Sequence, residues 1–148
     1  MNKEEVIAFT DLEADIQSLI KESVAVHMYS YSPYSKFKVG AAILCDDGAI
    51  FTGCNVENAS YPVSICAERT AIVKAVSEGK RKFKALSVVA DGKDNTFITP
   101  CGLCRQTIGE FGDIPIYLAG SDMKNVLKTT LSNLLPRAFT FEDVEILQ

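Results

Sequence analysis

Phe37-Lys38-Val39-Gly40-Ala41-Ala42-Ile43-Leu44-Cys45-Asp46-Asp47-Gly48 is the stretch from which the fold is read. Phe37, Val39, Ala41, Ile43 and Cys45 alternate with Lys38, Gly40, Ala42 and Leu44, a period of two that predicts a strand over 37–45. Asp46-Asp47-Gly48 is a hairpin turn, so a second strand is expected over 49–56. Downstream, 66–78 reads as a helix with Ile72, Ala75 and Val76 on one face, stopped by Gly79. A buried strand over 85–90 follows. Pro100 suits the first turn of a helix over 101–111, where its missing N–H is no loss. Strands are expected over 114–119 and 125–130, with a short helix near 132–135. Upstream, Thr10-Asp11-Leu12-Glu13 reads as a capping box, opening a helix that runs to about Met28.

The strands number five; the hairpin is antiparallel, and the βαβαβ portion implies parallel pairing, so a mixed five-stranded sheet in a three-layer α/β fold, helix–sheet–helix, is expected. No linker, repeat or low-complexity tract interrupts the 148 residues, so one domain spanning 1–148 is expected. Apolar residues at 47% are enough for one core. The net charge of -4 and the lack of a basic run point away from nucleic acid and toward a small substrate. No apolar run is long enough for a membrane span, and no signal-type segment follows the acidic Met1-Asn2-Lys3-Glu4-Glu5. A cytoplasmic location is expected. There the five cysteines read as metal ligands, reactive thiols or core residues before they read as disulfides.

Chemistry concentrates in Cys66-Ala67-Glu68-Arg69 and Pro100-Cys101-Gly102-Leu103-Cys104. If the helices opened by these segments start side by side, three thiolates converge. Three protein ligands and a water make a catalytic zinc site, whereas a fourth protein ligand would close it. Glu68, two residues after Cys66, can carry protons without being a ligand. Arg69 can donate to a ligand sulfur and withdraw charge from it, or stand as a solvated helix cation. Cys54 offers the fourth sulfur that a structural zinc module would need, and otherwise a buried thiol. Cys45 falls on the core face of its strand. Cys101 and Cys104 alone also fit a dithiol redox pair. Asn55 and Glu57, two apart in extended chain, point to one side and can bind hydroxyls, or can be ordinary polar residues at a strand end. Phe37 continues the core face. His27, near a helix end, reads as structural.

Taken in order, Tyr31-Ser32-Pro33-Tyr34-Ser35-Lys36-Phe37, Gly53-Cys54-Asn55-Val56-Glu57-Asn58-Ala59-Ser60-Tyr61-Pro62, Cys66-Ala67-Glu68-Arg69, Pro100-Cys101-Gly102-Leu103-Cys104-Arg105-Gln106 and Leu134-Leu135-Pro136-Arg137-Ala138-Phe139 closely resemble the small, homotetrameric cytidine deaminases. The cysteine at position 66, where the wider class carries a histidine, is similar to its three-cysteine members. The resemblance implies one Zn²⁺ per subunit on Cys66, Cys101 and Cys104, with Glu68 as proton shuttle. It implies ribose binding by Asn55 and Glu57, packing of Phe37 on the pyrimidine, and recognition of the cytosine edge by the Ala67 backbone. Tyr61 and Phe139 would cross subunit boundaries to complete shared sites in a homotetramer. The implied reaction is hydrolytic deamination of cytidine and 2′-deoxycytidine in pyrimidine salvage. Deaminases of blasticidin-type nucleosides share similar zinc motifs.

Overall fold

A computed structural model describes residues 3–144. Met1 and Asn2 of the acidic N-terminal segment, and the last four positions of the expected 1–148 domain, lie outside the described residues. In chain order the elements are β1 (Glu5–Ala8), α1 (Ala14–His27), β2 (Val39–Cys45), β3 (Ile50–Cys54), α2 (Ala67–Ser77), β4 (Phe83–Ala90), α3 (Gly102–Gly109), β5 (Pro115–Ala119), β6 (Asn125–Thr130) and α4 (Leu131–Leu134).

The sheet has six strands, ordered β1-β6-β5-β4-β2-β3, which corrects the expected five. The extra strand is Glu5-Val6-Ile7-Ala8, antiparallel to β6 with Glu5 opposite Lys128. Four residues are too few to show a period, and their partner lies at the far end of the chain. The sheet is mixed, as expected. β2 is antiparallel to both β3 and β4, so β3 and β4 run the same way with β2 between them. Only β4 with β5 is a parallel pair among the described strands.

Residues of β2 alternate between two cores, as pleating requires. Ala41 and Ile43 join Leu86, Val88, Ile116 and Leu118 under α2 and α3, which contribute Ala71, Ile72, Ala75 and Ile108. Ala42 and Leu44 join Val89, Tyr117 and Val126 under α1, which contributes Ile16, Leu19 and Ile20. The helix–sheet–helix layering is thus present. Phe37 is not part of it, because β2 begins at Val39 and the Phe37 side chain is 40% exposed.

The capping box does not form. α1 starts at Ala14, and its N-cap Glu13 makes no side-chain capping bond. Thr10 lies in a 3₁₀ turn over Phe9–Asp11. Leu12 and Phe9 pack against the α1 core, and this contact keeps the chain out of the helix for longer than the local motif suggests. Gln17 Nε2 reaches back to the Leu12 carbonyl at 3.0 Å.

Two glycines bring helices to backbone contact with the sheet. A Cβ on Gly40 would stand 2.1 Å from the Ser23 carbonyl of α1. One on Gly53 would stand 2.5 Å from the Ala67 carbonyl and 2.4 Å from the Ala71 nitrogen of α2. The start of α2 is therefore pressed onto the end of β3, and this contact places the residues described next.

Candidate active site

Both chemistry-bearing helices start in the same way. Cys66 is the N-cap of α2 and Cys101 the N-cap of α3, each with extended backbone. Cys104 lies in the first turn of α3 and is fully buried; Cys66 is half-buried and Cys101 exposed. Because both helices pack on one face of the sheet, their first turns meet. The three Sγ atoms all lie within 4.8 Å of one another, and Cys66 Sγ is 3.7 Å from Cys101 Sγ. Tetrahedral zinc with Zn–S bonds of about 2.3 Å sets its sulfurs roughly 3.8 Å apart, so this donor set fits the ion.

Cys54 is outside this group. It ends β3, and its thiol donates to the Tyr29 carbonyl at 3.5 Å. Among the described residues the candidate metal-binding group has three members, so the four-sulfur structural module is not what the chain builds. Cys45 is a core thiol, and burial raises its pKa. His27 is buried, with Nδ1 2.6 Å from the Val24 carbonyl and its Cβ against Gly40.

Charge within the cluster is uneven. A hydrogen bond from Cys104, and then Arg69 and Cys101, bring the Cys66 thiol down to about 5 against the opposing effect of burial. The Cys104 thiol is held far up by that same bond to Cys66 and by burial. A metal ion must therefore displace the proton that Cys104 keeps. Arg69 is half-buried, and its Nη2 donates to Cys66 Sγ at 3.8 Å, so it is not the solvated cation of the alternative reading. Its Nε is buried without a hydrogen-bond partner. Glu68, only 4% exposed in the first turn of α2, has its carboxyl pKa raised by burial, with its own backbone N–H and Cys104 pulling the other way. Burial thus makes this carboxyl hold a proton more readily than a free one, as a group that both takes and gives a proton requires.

Asn55 and Glu57 face one side, as their spacing predicts, and both grip the loop over 30–39. Asn55 Oδ1 accepts from Ser30 Oγ at 2.5 Å and from the Val39 N–H at 3.0 Å, while Nδ2 donates to the Phe37 carbonyl at 2.7 Å. Glu57 Oε1 accepts from the Tyr34 and Ser35 N–H groups, and Oε2 from the Ser35 hydroxyl. That hydroxyl holds the Glu57 carboxyl below its ordinary pKa. It also accepts from the Phe37 N–H at 3.0 Å. Phe37 is thus held on both sides of its backbone, and its ring is left accessible.

Between Asn55 and Glu57, Val56 exchanges two backbone bonds of 3.0 Å with Ile65, the residue before Cys66. This strap ties the polar pair to the sulfur cluster. Tyr34, Ser35, Glu57, Tyr61 and Ser64 line a cavity of ≈ 320 Å³. Tyr61 is 69% exposed and meets Tyr34 edge-on, with ring centroids 5.8 Å apart. Phe139, 61% exposed, sits on the C-terminal segment, where its carbonyl accepts from Gln106 Nε2 at 2.8 Å. Ala67 is fully buried at the α2 start.

Ser30 and Ser35, which brace Asn55 and Glu57, have no distinguishing signal in the sequence.

Residues 13–119 match the family described as the cytidine and deoxycytidylate deaminase zinc-binding region. A cytidine deaminase of Sporosarcina psychrophila is 51% identical over 133 residues, 88% of this chain and 95% of that protein. One of Halalkalibacterium halodurans is 48% identical over 132 residues, 88% of this chain and 98% of that protein. The crystal structure of a cytidine deaminase from Burkholderia pseudomallei superposes with a TM-score of 0.77 at 44% identity, covering 82% of this chain and 97% of that one.

Proposed function

The chain belongs to the cytidine deaminase family and is a zinc-binding hydrolase that deaminates cytidine, and from that premise we propose which of its residues carry the reaction. Cytidine and water give uridine and ammonia. An oxygen bond forms at ring carbon four and the exocyclic carbon–nitrogen bond breaks. Of the two water protons, one ends on ring nitrogen three and the other leaves with the ammonia.

Cys66, Cys101 and Cys104 would hold the zinc, which would supply a Lewis acid able to acidify water. Glu68 takes the first proton from the water and delivers it to ring nitrogen three, then passes the second to the departing amine. The observation that carries this assignment is a carboxyl group buried to 4% exposure in the same helical turn as a zinc sulfur. Arg69 draws charge from the Cys66 sulfur. The Phe37 ring packs on the pyrimidine, the Ala67 backbone reads the cytosine edge, and Asn55 and Glu57 bind the ribose hydroxyls. Glu57 keeps free acceptor capacity and the Asn55 amide keeps one N–H, which supports that role.

The same reading extends to 2′-deoxycytidine, to a homotetramer and to one catalytic domain over the whole chain. It also places the enzyme in the cytoplasm, serving pyrimidine salvage, with no nucleic-acid partner. Among the described residues no helix is long and apolar enough to cross a membrane. The tetramer is supported by Tyr29, Tyr31, Tyr34, Tyr61, Val63 and Phe139, which are all exposed in the single subunit and so available to a neighbour. Tyr61 and Phe139 then complete the sites of neighbouring subunits.

The test is an ultraviolet assay with cytidine, deoxycytidine, CMP and blasticidin S, run beside zinc quantification and light scattering. Turnover of both nucleosides by a zinc-loaded tetramer is the expected result. Preference for blasticidin S, or full activity in a monomer, would refute the substrate or the shared-site assignment respectively.

A further inference from the structure

Cys101 is the exposed member of the sulfur cluster, and it enters α3 from the Thr99-Pro100 segment instead of from within a helix. Arg105 holds that segment. Its backbone N–H closes the first turn on the Cys101 carbonyl at 2.9 Å. Its guanidinium turns back, with Nε donating to the Pro100 carbonyl at 2.6 Å and Nη2 to Thr99 Oγ1 at 2.9 Å. Nη1 crosses to the Leu134 carbonyl at 2.6 Å, which brings the end of α4 into the same grip. All three acceptors are neutral oxygens in fixed directions.

We propose that Arg105 is a positioning residue for the zinc ligands Cys101 and Cys104, acting through the Pro100 carbonyl. A planar guanidinium meets three divergent acceptors at once, whereas an ammonium is a single point charge and cannot reproduce the fork. Arg69 and Arg105 divide the work: Arg69 touches a sulfur and affects its charge, while Arg105 touches the backbone that presents the sulfurs and affects their place. Outer partners of this kind typically control 10–100-fold in metal affinity. The proposal rests on the three-sulfur zinc site and is independent of the roles given to Glu68, Asn55 and Glu57.

The experiment is chelator competition for zinc on the loaded protein, with melting curves recorded at and without excess chelator. Arg105→Ala should lose about 10–100-fold in zinc affinity, and Arg105→Lys, which keeps the charge and loses the fork, should lose nearly as much. Gln106→Ala removes only the bond to Phe139 and should bind zinc like the parent. If Arg105→Ala does not fold, the lysine variant and Thr99→Val carry the comparison. Parental zinc affinity in Arg105→Lys overturns the proposal. So does a melting loss that is equal with and without chelator at unchanged zinc affinity, which marks a merely structural role. Equal zinc loss in Gln106→Ala overturns it too, because the C-terminal attachment would then carry the effect.

Discussion

Cys66 Sγ and Cys101 Sγ lie 3.7 Å apart across 35 positions of sequence, each side chain borne by the N-cap of its helix. Separate helix starts, pressed onto one face of the sheet, supply the two atoms. Zinc affinity is therefore a property of the packed fold, and losing the ion should loosen the contact between α2 and α3. Treatment with a chelator should lower the melting temperature, and zinc should restore it in proportion to RT ln(1 + [Zn]/Kd). A melting curve that ignores zinc would show that the cluster does not hold it.

Zinc uptake should release protons. Cys66, down at about 5, is already a thiolate at neutral pH, while the Cys104 thiol is held up and must give its proton away. Affinity should thus rise with pH through the neutral range. Calorimetry in two buffers of different ionisation enthalpy measures the release. A value of zero near pH 7 contradicts the assignment.

Glu68→Gln should keep zinc and lose turnover by about 10²–10⁴-fold. It should also stabilise the zinc-free protein at neutral pH. The folded pKa of Glu68 is raised, so folding favours its protonated form. That favour is complete below the unfolded value and is lost as pH rises through the folded one. The amide removes the cost of ionisation, and the melting gain should disappear in acid. A variant with near-parental activity would end the proton-carrier role.

Arg69→Ala removes a donor from the Cys66 sulfur and one positive charge from the cluster. The acidic limb of the profile, where the attacking water must ionise, should move to higher pH, by about one unit if the bond is worth the usual 1.5–3 kcal/mol of a charged hydrogen bond, partly screened. The pH–rate profile of the zinc-loaded variant is the measurement. An unmoved profile would leave Arg69 with packing alone.

Asn55→Ala and Glu57→Ala should raise KM more than they lower kcat, and should change the ratio between ribose and deoxyribose substrates. Asn55 carries an added effect, because its amide also holds Phe37. The Glu57 brace depends on charge. Its folded pKa is lowered, so the stability it adds is present above the ordinary carboxylate range and lost as pH falls through the depressed value. Hydrogen exchange of the Tyr34 and Ser35 amides should quicken only in that acid window. Kinetics indifferent to both substitutions would remove the sugar assignment.

The site was more legible than the scaffold. Cys66, Glu68, Cys101 and Cys104 lie at helix starts whose spacing is a local signal, and the sheet's hairpin announces itself through alternation and Asp46-Asp47-Gly48. β1 left no trace because its partner is β6, at a separation no short window spans. The capping box misled because Leu12 had a core to fill. Phe37 continues a strand's parity but not the strand, since Asn55 and Ser35 hold its backbone in the loop. Hydrogen bonds such as those of Ser35 and Arg105 depend on tertiary approach and have no signature in one dimension.

The two glycines at helix contacts, Gly40 and Gly53, act as zero-thickness spacers. With no shim left to remove, the layers cannot be drawn closer, and any side chain there forces them apart. Divergence in substrate range within this scaffold is then confined to its rim: the loops before β2 and after β3, and the tail beyond α4. Libraries that vary those rims while leaving the spacers untouched sample the freedom the architecture actually has.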